Sequence, residues 1–223
     1  MTENELARMF DHTLLKPYAT EADFREFCQD AIDMNVAMVA INSAPVKFCK
    51  ELLKETDIHV GAAISFPLGQ TTIETKLFET RQAIQDGADE IDYVVNIGKV
   101  KEHNYEYIED EMEQMVSLCK GYNRIVKVIF ENCYLEKEEI IQLCLIAKKI
   151  KPDYIKTSTG FGTGGAQIED IKLMKEMVGN DVKVKAAGGI RDLDTCLKMI
   201  KAGASRIGTS NSKKILEEFK NRG

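Results

Sequence analysis

Asp86-Gly87-Ala88-Asp89-Glu90-Ile91 returns near the end of the chain as Lys201-Ala202-Gly203-Ala204-Ser205-Arg206-Ile207. In both places a glycine stops a helical pattern and a short apolar run begins, so each phrase reads as the turn from a helix into a strand. Working outward from these two turns, strand-type and helix-type runs alternate at a nearly constant spacing through all 223 residues. The strand runs are Phe10 to Pro17, Val36 to Asn42, His59 to Phe66, Glu90 to Asn96, Arg124 to Glu131, Tyr154 to Gly160, Val182 to Ala187 and Arg206 to Ser210. Helical patterns cover Glu3 to Met9, Glu21 to Met34, Pro45 to Lys54, Thr72 to Asp86, Tyr105 to Lys120, Lys137 to Ile150, Ile168 to Met177, Leu193 to Lys201 and Ser212 to Phe219. Thr20 with Asp23 three residues on, and Asp192 before Leu193, are residues of the N-cap type. Repeated βα units of about 28 residues, with no Pro/Gly/Ser linker between them, predict an α/β fold: a small (β/α)8 TIM barrel in a single domain spanning residues 1–223. The alternative, an open doubly wound sheet, rarely needs eight regular units.

A net charge of −6, with Lys and Arg scattered rather than clustered, argues against nucleic acid or an anionic membrane as partner and favours a small molecule. No apolar run reaches the roughly 20 residues of a bilayer span, and Met1-Thr2-Glu3-Asn4-Glu5 lacks a signal-peptide pattern, so a cytoplasmic location is expected. Cys28, Cys49, Cys119, Cys133, Cys144 and Cys196 show no two-residue spacing and read as reduced core residues. His12, His59 and His103 form no i, i+4 ligand pair, so neither a metal nor another cofactor is expected.

In such a barrel the active site lies at the C-terminal ends of the strands, which lets strand position separate function from scaffold. Two lysines stand within apolar strands, Lys156 in Asp153-Tyr154-Ile155-Lys156-Thr157-Ser158-Thr159-Gly160-Phe161 and Lys185 in Val182-Lys183-Val184-Lys185-Ala186-Ala187-Gly188-Gly189. The two-residue period puts Lys156 and Ser158 on one face of their strand, and Lys183, Lys185 and Ala187 on one face of theirs. Lys185 lies further along than Lys183, which makes Lys185 the active-site candidate and Lys183 a rim or lower-face residue. Asp92 is a carboxylate inside an otherwise apolar strand, and Lys127 falls within the adjacent one. The plainer reading makes Lys156 an interior salt-bridge partner and pairs Asp92 with Lys127; it is compatible with chemistry at the same residues.

A free lysine titrates near 10.4 and is almost wholly ammonium at neutral pH. A second ammonium about 5 Å away, at an effective dielectric of about 20, disfavours the charged form by roughly 3 kcal/mol, or about two pKa units, and desolvation adds to that. Two lysines at one barrel mouth therefore make one good amine nucleophile, suited to a Schiff base with an aldehyde or ketone whose iminium absorbs the electrons of a carbon-carbon bond. A carboxylate such as Asp92 can then shuttle protons. Gly188-Gly189-Ile190-Arg191 and Gly208-Thr209-Ser210-Asn211-Ser212 follow the last two strands, where barrels often bind phosphate. Their plainer reading is ordinary turn glycine, and Gly160-Phe161-Gly162-Thr163-Gly164-Gly165 alone is a weaker signal.

Seven phrases together resemble the deoxyribose-phosphate aldolases, a family of class I aldolases. They are Asp11-His12-Thr13-Leu14-Leu15-Lys16-Pro17, Phe66-Pro67-Leu68-Gly69, Glu90-Ile91-Asp92 with Asn96-Ile97-Gly98, Lys127-Val128-Ile129, Tyr154 through Phe161, Lys185 through Arg191, and Arg206-Ile207-Gly208-Thr209-Ser210. The resemblance runs from the first strand to the last. It implies a (β/α)8 fold and metal-free, reversible cleavage of 2-deoxy-D-ribose 5-phosphate to acetaldehyde and D-glyceraldehyde 3-phosphate, in deoxynucleoside catabolism. It makes Lys156 the Schiff-base lysine, Lys185 the lysine that lowers its pKa and relays protons, and Asp92 the proton acceptor and donor. Asp11 and Thr13 would contact the sugar end or support this network, and Lys127, Thr157, Gly160, Gly188, Gly189, Gly208, Ser210 and Asn211 complete the substrate surroundings. A homo-oligomer, dimer or tetramer, is compatible with it.

The chain departs from the family pattern at Ala40, where many relatives carry cysteine, at Ser65, where glycine is usual, and at Asn211, where a second serine is usual. It ends Asn221-Arg222-Gly223, without the terminal tyrosine of some relatives. Two other functions fit the lysines less fully: an aldolase for another phosphorylated sugar, and an inactive barrel that binds a sugar phosphate. The last predicts loss of Lys156, Lys185 or Asp92, and all three are present.

Overall fold

The computed structural model describes residues 1–222; Gly223, the last residue of the predicted domain and tail, lies outside them. Eight strands form a closed barrel in the order of the chain, each parallel to its neighbours: β1 (Phe10–Leu14), β2 (Met38–Asn42), β3 (His59–Ile64), β4 (Glu90–Val94), β5 (Ile125–Ile129), β6 (Tyr154–Lys156), β7 (Lys183–Ala187) and β8 (Arg206–Thr209). The circle closes where Phe10, Asp11 and His12 pair with Ile207, Gly208 and Thr209. The fold is the (β/α)8 barrel expected from the repeated turns.

Helices cover the outside: α1 (Glu3–Ala7), α2 (Glu21–Met34), α3 (Val46–Leu52), α4 (Ile73–Gln85), α5 (Ile97–Lys101), α6 (Tyr105–Gly121), α7 (Lys137–Ile150), α8 (Ile168–Val178), α9 (Leu193–Ala202) and α10 (Ser212–Lys220). The N-caps at Thr20 and Asp192 form as the sequence suggests, accepting from the N–H groups of Asp23 and Thr195. None of the helices among the described residues is long and apolar enough to cross a membrane.

The two-residue period of the strands sorts the core into two compartments. Ile91 and Tyr93 of β4, Val126 and Val128 of β5, and Val184 and Ala186 of β7 belong to the apolar core shared with the helices. The alternate residues, Glu90 and Asp92, Lys127, and Lys185, point into the barrel and are charged. Met38 fills part of the same interior, its Sδ 3.2 Å from Lys127 Nζ. A Cβ at Gly61 would lie 2.4 Å from Met38 Cε, so the glycine makes room for that side chain.

The strands are mostly shorter than the predicted runs, by one or two residues at an end in most cases and by more in β1 and β6. β1 stops at Leu14 rather than Pro17, because proline has no N–H for a ladder and the backbone turns there, with Ala19 N–H donating to Lys16 O. β6 ends at Lys156 rather than Gly160, because side chains take over the hydrogen bonding: Glu131 accepts from the Thr159 N–H. The short helix α5 and the 3-10 turn Asn132–Tyr134 carry too few residues to show a period; α5 is announced only by its cap, Asn96 Oδ1 accepting from Lys99 N–H. Ser65, where relatives carry glycine, has a left-handed backbone with φ 51°, held by its N–H donating to Glu79 and its hydroxyl meeting Thr71.

Candidate active site

The strand register brings together what the sequence scatters. Asp92 pairs beside Lys127 across β4 and β5, and Lys156 beside Lys185 across β6 and β7. Lys156 Nζ lies 3.0 Å from Asp92 Oδ2, Lys185 Nζ 2.6 Å from the same oxygen, and Lys127 Nζ 2.8 Å from Asp92 Oδ1. Asp11 continues the network, pairing with Lys185 and accepting from Arg206 Nε at 2.7 Å, while Glu90 pairs with Lys127 and Arg206. Half-exposed His59 meets Glu90 at the edge.

Four cationic side chains, Lys127, Lys156, Lys185 and Arg206, thus meet three carboxylates, Asp11, Glu90 and Asp92. One positive charge is in excess, and the deprotonation of one lysine balances the cluster. Lys156 is the group that gives up its proton most readily: its pKa is lowered to about 8, by burial first and by the Lys185 ammonium second, against the pull of Asp92. In the folded protein desolvation, rather than the neighbouring charge, is the larger cause. Lys127 moves the other way despite its burial, because Asp92, Glu90 and Asp11 hold its proton above the ordinary lysine range. Burial alone would raise the Asp92 carboxyl, but the Lys127, Lys185 and Lys156 ammonium groups bring it well below its usual range.

Above this network opens a cavity of about 600 Å³ at the C-terminal ends of the strands. Of the residues singled out in the sequence, Lys156, Thr13, Gly160, Gly188, Gly189, Gly208, Ser210 and Asn211 line it. Gly188 and Gly189 turn the chain with φ 86° and 78°, and no atom stands within 4 Å of where a Cβ at Gly189 would be. Asp92 and Lys185 lie directly beneath, in hydrogen-bond contact with each other, and Asp92 reaches Lys156. Lys127 and Thr157, placed around the substrate by resemblance, do not line the cavity, and Asp11 takes the second of its two expected places, in support of the network. Asp11 and Lys127 form the lower layer of the ion network, drawn inward by Arg206, Lys185 and Glu90. Thr157 alternates with Lys156 and so faces away, its hydroxyl donating to Ala187 O. Lys183 is exposed, its ammonium over the Tyr154 ring at the lower end of the barrel, as its strand position predicts.

Several lining residues lacked a local signal in the sequence. His12 stacks on Phe27 at 4.5 Å with Nδ1 3.1 Å from Ser212 Oγ, and burial lowers its pKa to about 4. Thr159, Phe161, Lys16 and Arg191 also line the cavity; all four stand in the quoted phrases, but only the barrel shows which of a phrase's residues face inward. Ser158, on the predicted lysine face, is buried, with an Oγ that has no hydrogen-bond partner among the described residues. Five cysteines are buried, Cys133 is half-buried, and all six are free. Among the described residues no three His, Cys, Asp or Glu side chains gather as metal ligands.

A parallel barrel whose catalytic end presents a desolvated lysine, backed by a second lysine and a carboxylate, defines a class of protein built for carbonyl chemistry through an amine. Residues 6–217 match the model of the DeoC/LacD family aldolases. The chain is 57% identical over 219 residues to the deoxyribose-phosphate aldolase of Lactobacillus acidophilus, covering 98% of this chain and 92% of that protein. It is 50% identical over 220 residues to the Bacteroides thetaiotaomicron enzyme of the same name, covering 99% and 92%. The tetrameric deoxyribose phosphate aldolase of Aeropyrum pernix superposes with a TM-score of 0.92 at 31% identity, covering 100% of this chain and 94% of that one. The chain belongs to the DeoC/LacD family of aldolases.

Proposed function

We propose that this aldolase reversibly cleaves 2-deoxy-D-ribose 5-phosphate to acetaldehyde and D-glyceraldehyde 3-phosphate, with Lys156 as the Schiff-base nucleophile. The observation that carries the reading is the placement of Lys156 at the floor of a cavity flanked by two glycine turns, 3.0 Å from Asp92 and paired in register with Lys185, where burial and the second ammonium lower its pKa to about 8. At neutral pH about a tenth of such a lysine is free amine, roughly two hundredfold more than for an unperturbed one.

The neutral amine attacks the C1 aldehyde, and loss of water leaves an iminium. When the C3 hydroxyl gives up its proton, the C2–C3 bond breaks, its electrons pass into the iminium, and C3 becomes the aldehyde of D-glyceraldehyde 3-phosphate. The resulting enamine takes a proton at C2, and hydrolysis releases acetaldehyde and the amine. Lys185, 2.6 Å from Asp92, supplies a mobile proton beside the nucleophile. Asp92 touches three ammonium groups, so in the free protein it acts first as their counter-ion; taking up a proton is favoured only as positive charge leaves the cluster. The phosphate is assigned to the turns at Gly188 to Gly189 and Gly208 to Asn211, where main-chain N–H groups and the start of α10 suit an anion.

The whole chain is read as one catalytic unit in the cytoplasm. The tetrameric Aeropyrum pernix relative supports homo-oligomeric assembly, which analytical ultracentrifugation tests directly. The test of the reaction is cleavage of 2-deoxy-D-ribose 5-phosphate beside other sugar phosphates, with both products identified by mass spectrometry. Faster cleavage of another sugar overturns the substrate assignment. Binding without products overturns the chemistry.

A further inference from the structure

Glu131 is a buried carboxylate beside the active site that the steps above do not use. It follows β5 in a left-handed backbone at φ 60°, is 1% exposed, and forms no ion pair among the described residues. Both of its oxygens accept from Thr159, and Oε1 also meets the Cys133 thiol at 3.9 Å. Oε1 accepts from the Thr159 N–H at 3.0 Å and Oε2 accepts from the Thr159 hydroxyl. Thr159 Oγ1 in turn accepts from the Phe161 N–H at 3.0 Å, and Thr159 lines the cavity that holds Lys156.

A threonine hydroxyl has one donor and two acceptor positions. Here Glu131 takes the donor and Phe161 N–H takes one lone pair, which leaves one lone pair. We propose that Glu131 is a positioning residue that fixes the polarity of Thr159, so that the cavity offers an acceptor to the C4 hydroxyl of the bound sugar phosphate. The inference rests on the reaction proposed above. C4 is chosen by chemistry. The C3 oxygen turns from hydroxyl into carbonyl during cleavage, and a carbonyl facing a fixed acceptor is repelled. The C4 oxygen stays a hydroxyl donor throughout, and it is the 2-hydroxyl of the phosphorylated aldehyde product. Thr159 would therefore favour aldehydes with a hydroxyl next to the carbonyl.

Glu131→Gln tests the polarity directly. The Thr159 N–H can only donate, so the new amide must turn its carbonyl to it and its NH2 to Thr159 Oγ1, which sends the hydroxyl proton towards the cavity. The measurement is condensation of acetaldehyde with D-glyceraldehyde 3-phosphate and, separately, with 3-oxopropyl phosphate, the same chain without the hydroxyl. Glu131→Gln is expected to lower kcat/KM for the first about 10- to 100-fold, while the second changes less than about threefold. Thr159→Val should lose the same preference and Thr159→Ser keep it, and adding Glu131→Gln to Thr159→Val should alter the preference no further. An equal loss on both aldehydes would mean that Glu131 only braces the loop, and an unchanged preference in Glu131→Gln or Thr159→Val would also overturn the proposal. Borohydride trapping of acetaldehyde needs no such hydroxyl and should persist in these variants. Its absence from the unaltered protein would bring down the lysine assignment instead.

Discussion

An amine that attacks a carbonyl at neutral pH must first shed its proton, and two features of the surroundings of Lys156 favour that loss: burial, and a cluster already one positive charge in excess. The sign follows from the lowered pKa. Below about 8 the charged form dominates, so the rate of trapping with acetaldehyde should rise about tenfold per pH unit through the neutral range and level off above about 8. A rate that kept rising to pH 10 would mean an unperturbed lysine. Lys185→Leu removes the second cause and leaves Asp92 to favour the Lys156 ammonium more strongly. Trapping near neutrality should then slow by about tenfold or more and recover at higher pH, because the desolvation that Lys185 does not supply is still there. A loss with no recovery at high pH would place Lys185 in the trapping chemistry itself.

At the scale of the elements, one buried ion pair between two helices holds the end of a strand in place. Between α4 and α6, Lys76 Nζ contacts Glu111 Oε1 and Val94 O, both at 2.6 Å, and Glu111 Oε2 accepts from Asn96 N–H at 3.1 Å. The pair is fully buried and fixes the C-terminal end of β4 just past Asp92. Lys76→Met should therefore destabilise the protein by about 3 to 5 kcal/mol, because Glu111 is left buried and uncompensated. Adding Glu111→Leu should recover much of that loss in denaturant unfolding; losses that simply add would show that the two residues are not coupled and would contradict this account of the pair. The loops after β7 and β8 carry the other element-level prediction. Open space at Gly189 means a bulky side chain there projects into solvent-filled volume rather than protein, although its φ of 78° strains any L residue. Substitution should raise KM for 2-deoxy-D-ribose 5-phosphate much more than for unphosphorylated 2-deoxy-D-ribose. Equal effects on both would move the phosphate away from this turn.

For the whole molecule, the barrel was legible because a helix-to-strand turn recurs and the strands are short and apolar, and Lys156, Lys185 and Asp92 stood out because charge in such strands is expensive. The closed circle then made neighbours of Asp92 and Lys185, 93 residues apart. What stayed hidden lies on helices and in turns. Lys76 and Glu111 sit within helices where a charge is ordinary, and Glu131 reaches Thr159 only because β5 and β6 are adjacent. Lys127 shows the limit of reading by resemblance, since strand phase carries it into the layer below the cavity. Because the iminium takes up the electrons, a chelator should leave cleavage of 2-deoxy-D-ribose 5-phosphate unchanged, and a loss restored by a divalent metal would contradict a lysine-based reaction. The most direct test is mass spectrometry of the protein reduced with borohydride during turnover of that substrate. The predicted result is a covalent adduct confined to the peptide carrying Lys156 and absent from Lys156→Ala; an adduct on Lys185, or unchanged labelling of Lys156→Ala, would contradict the account.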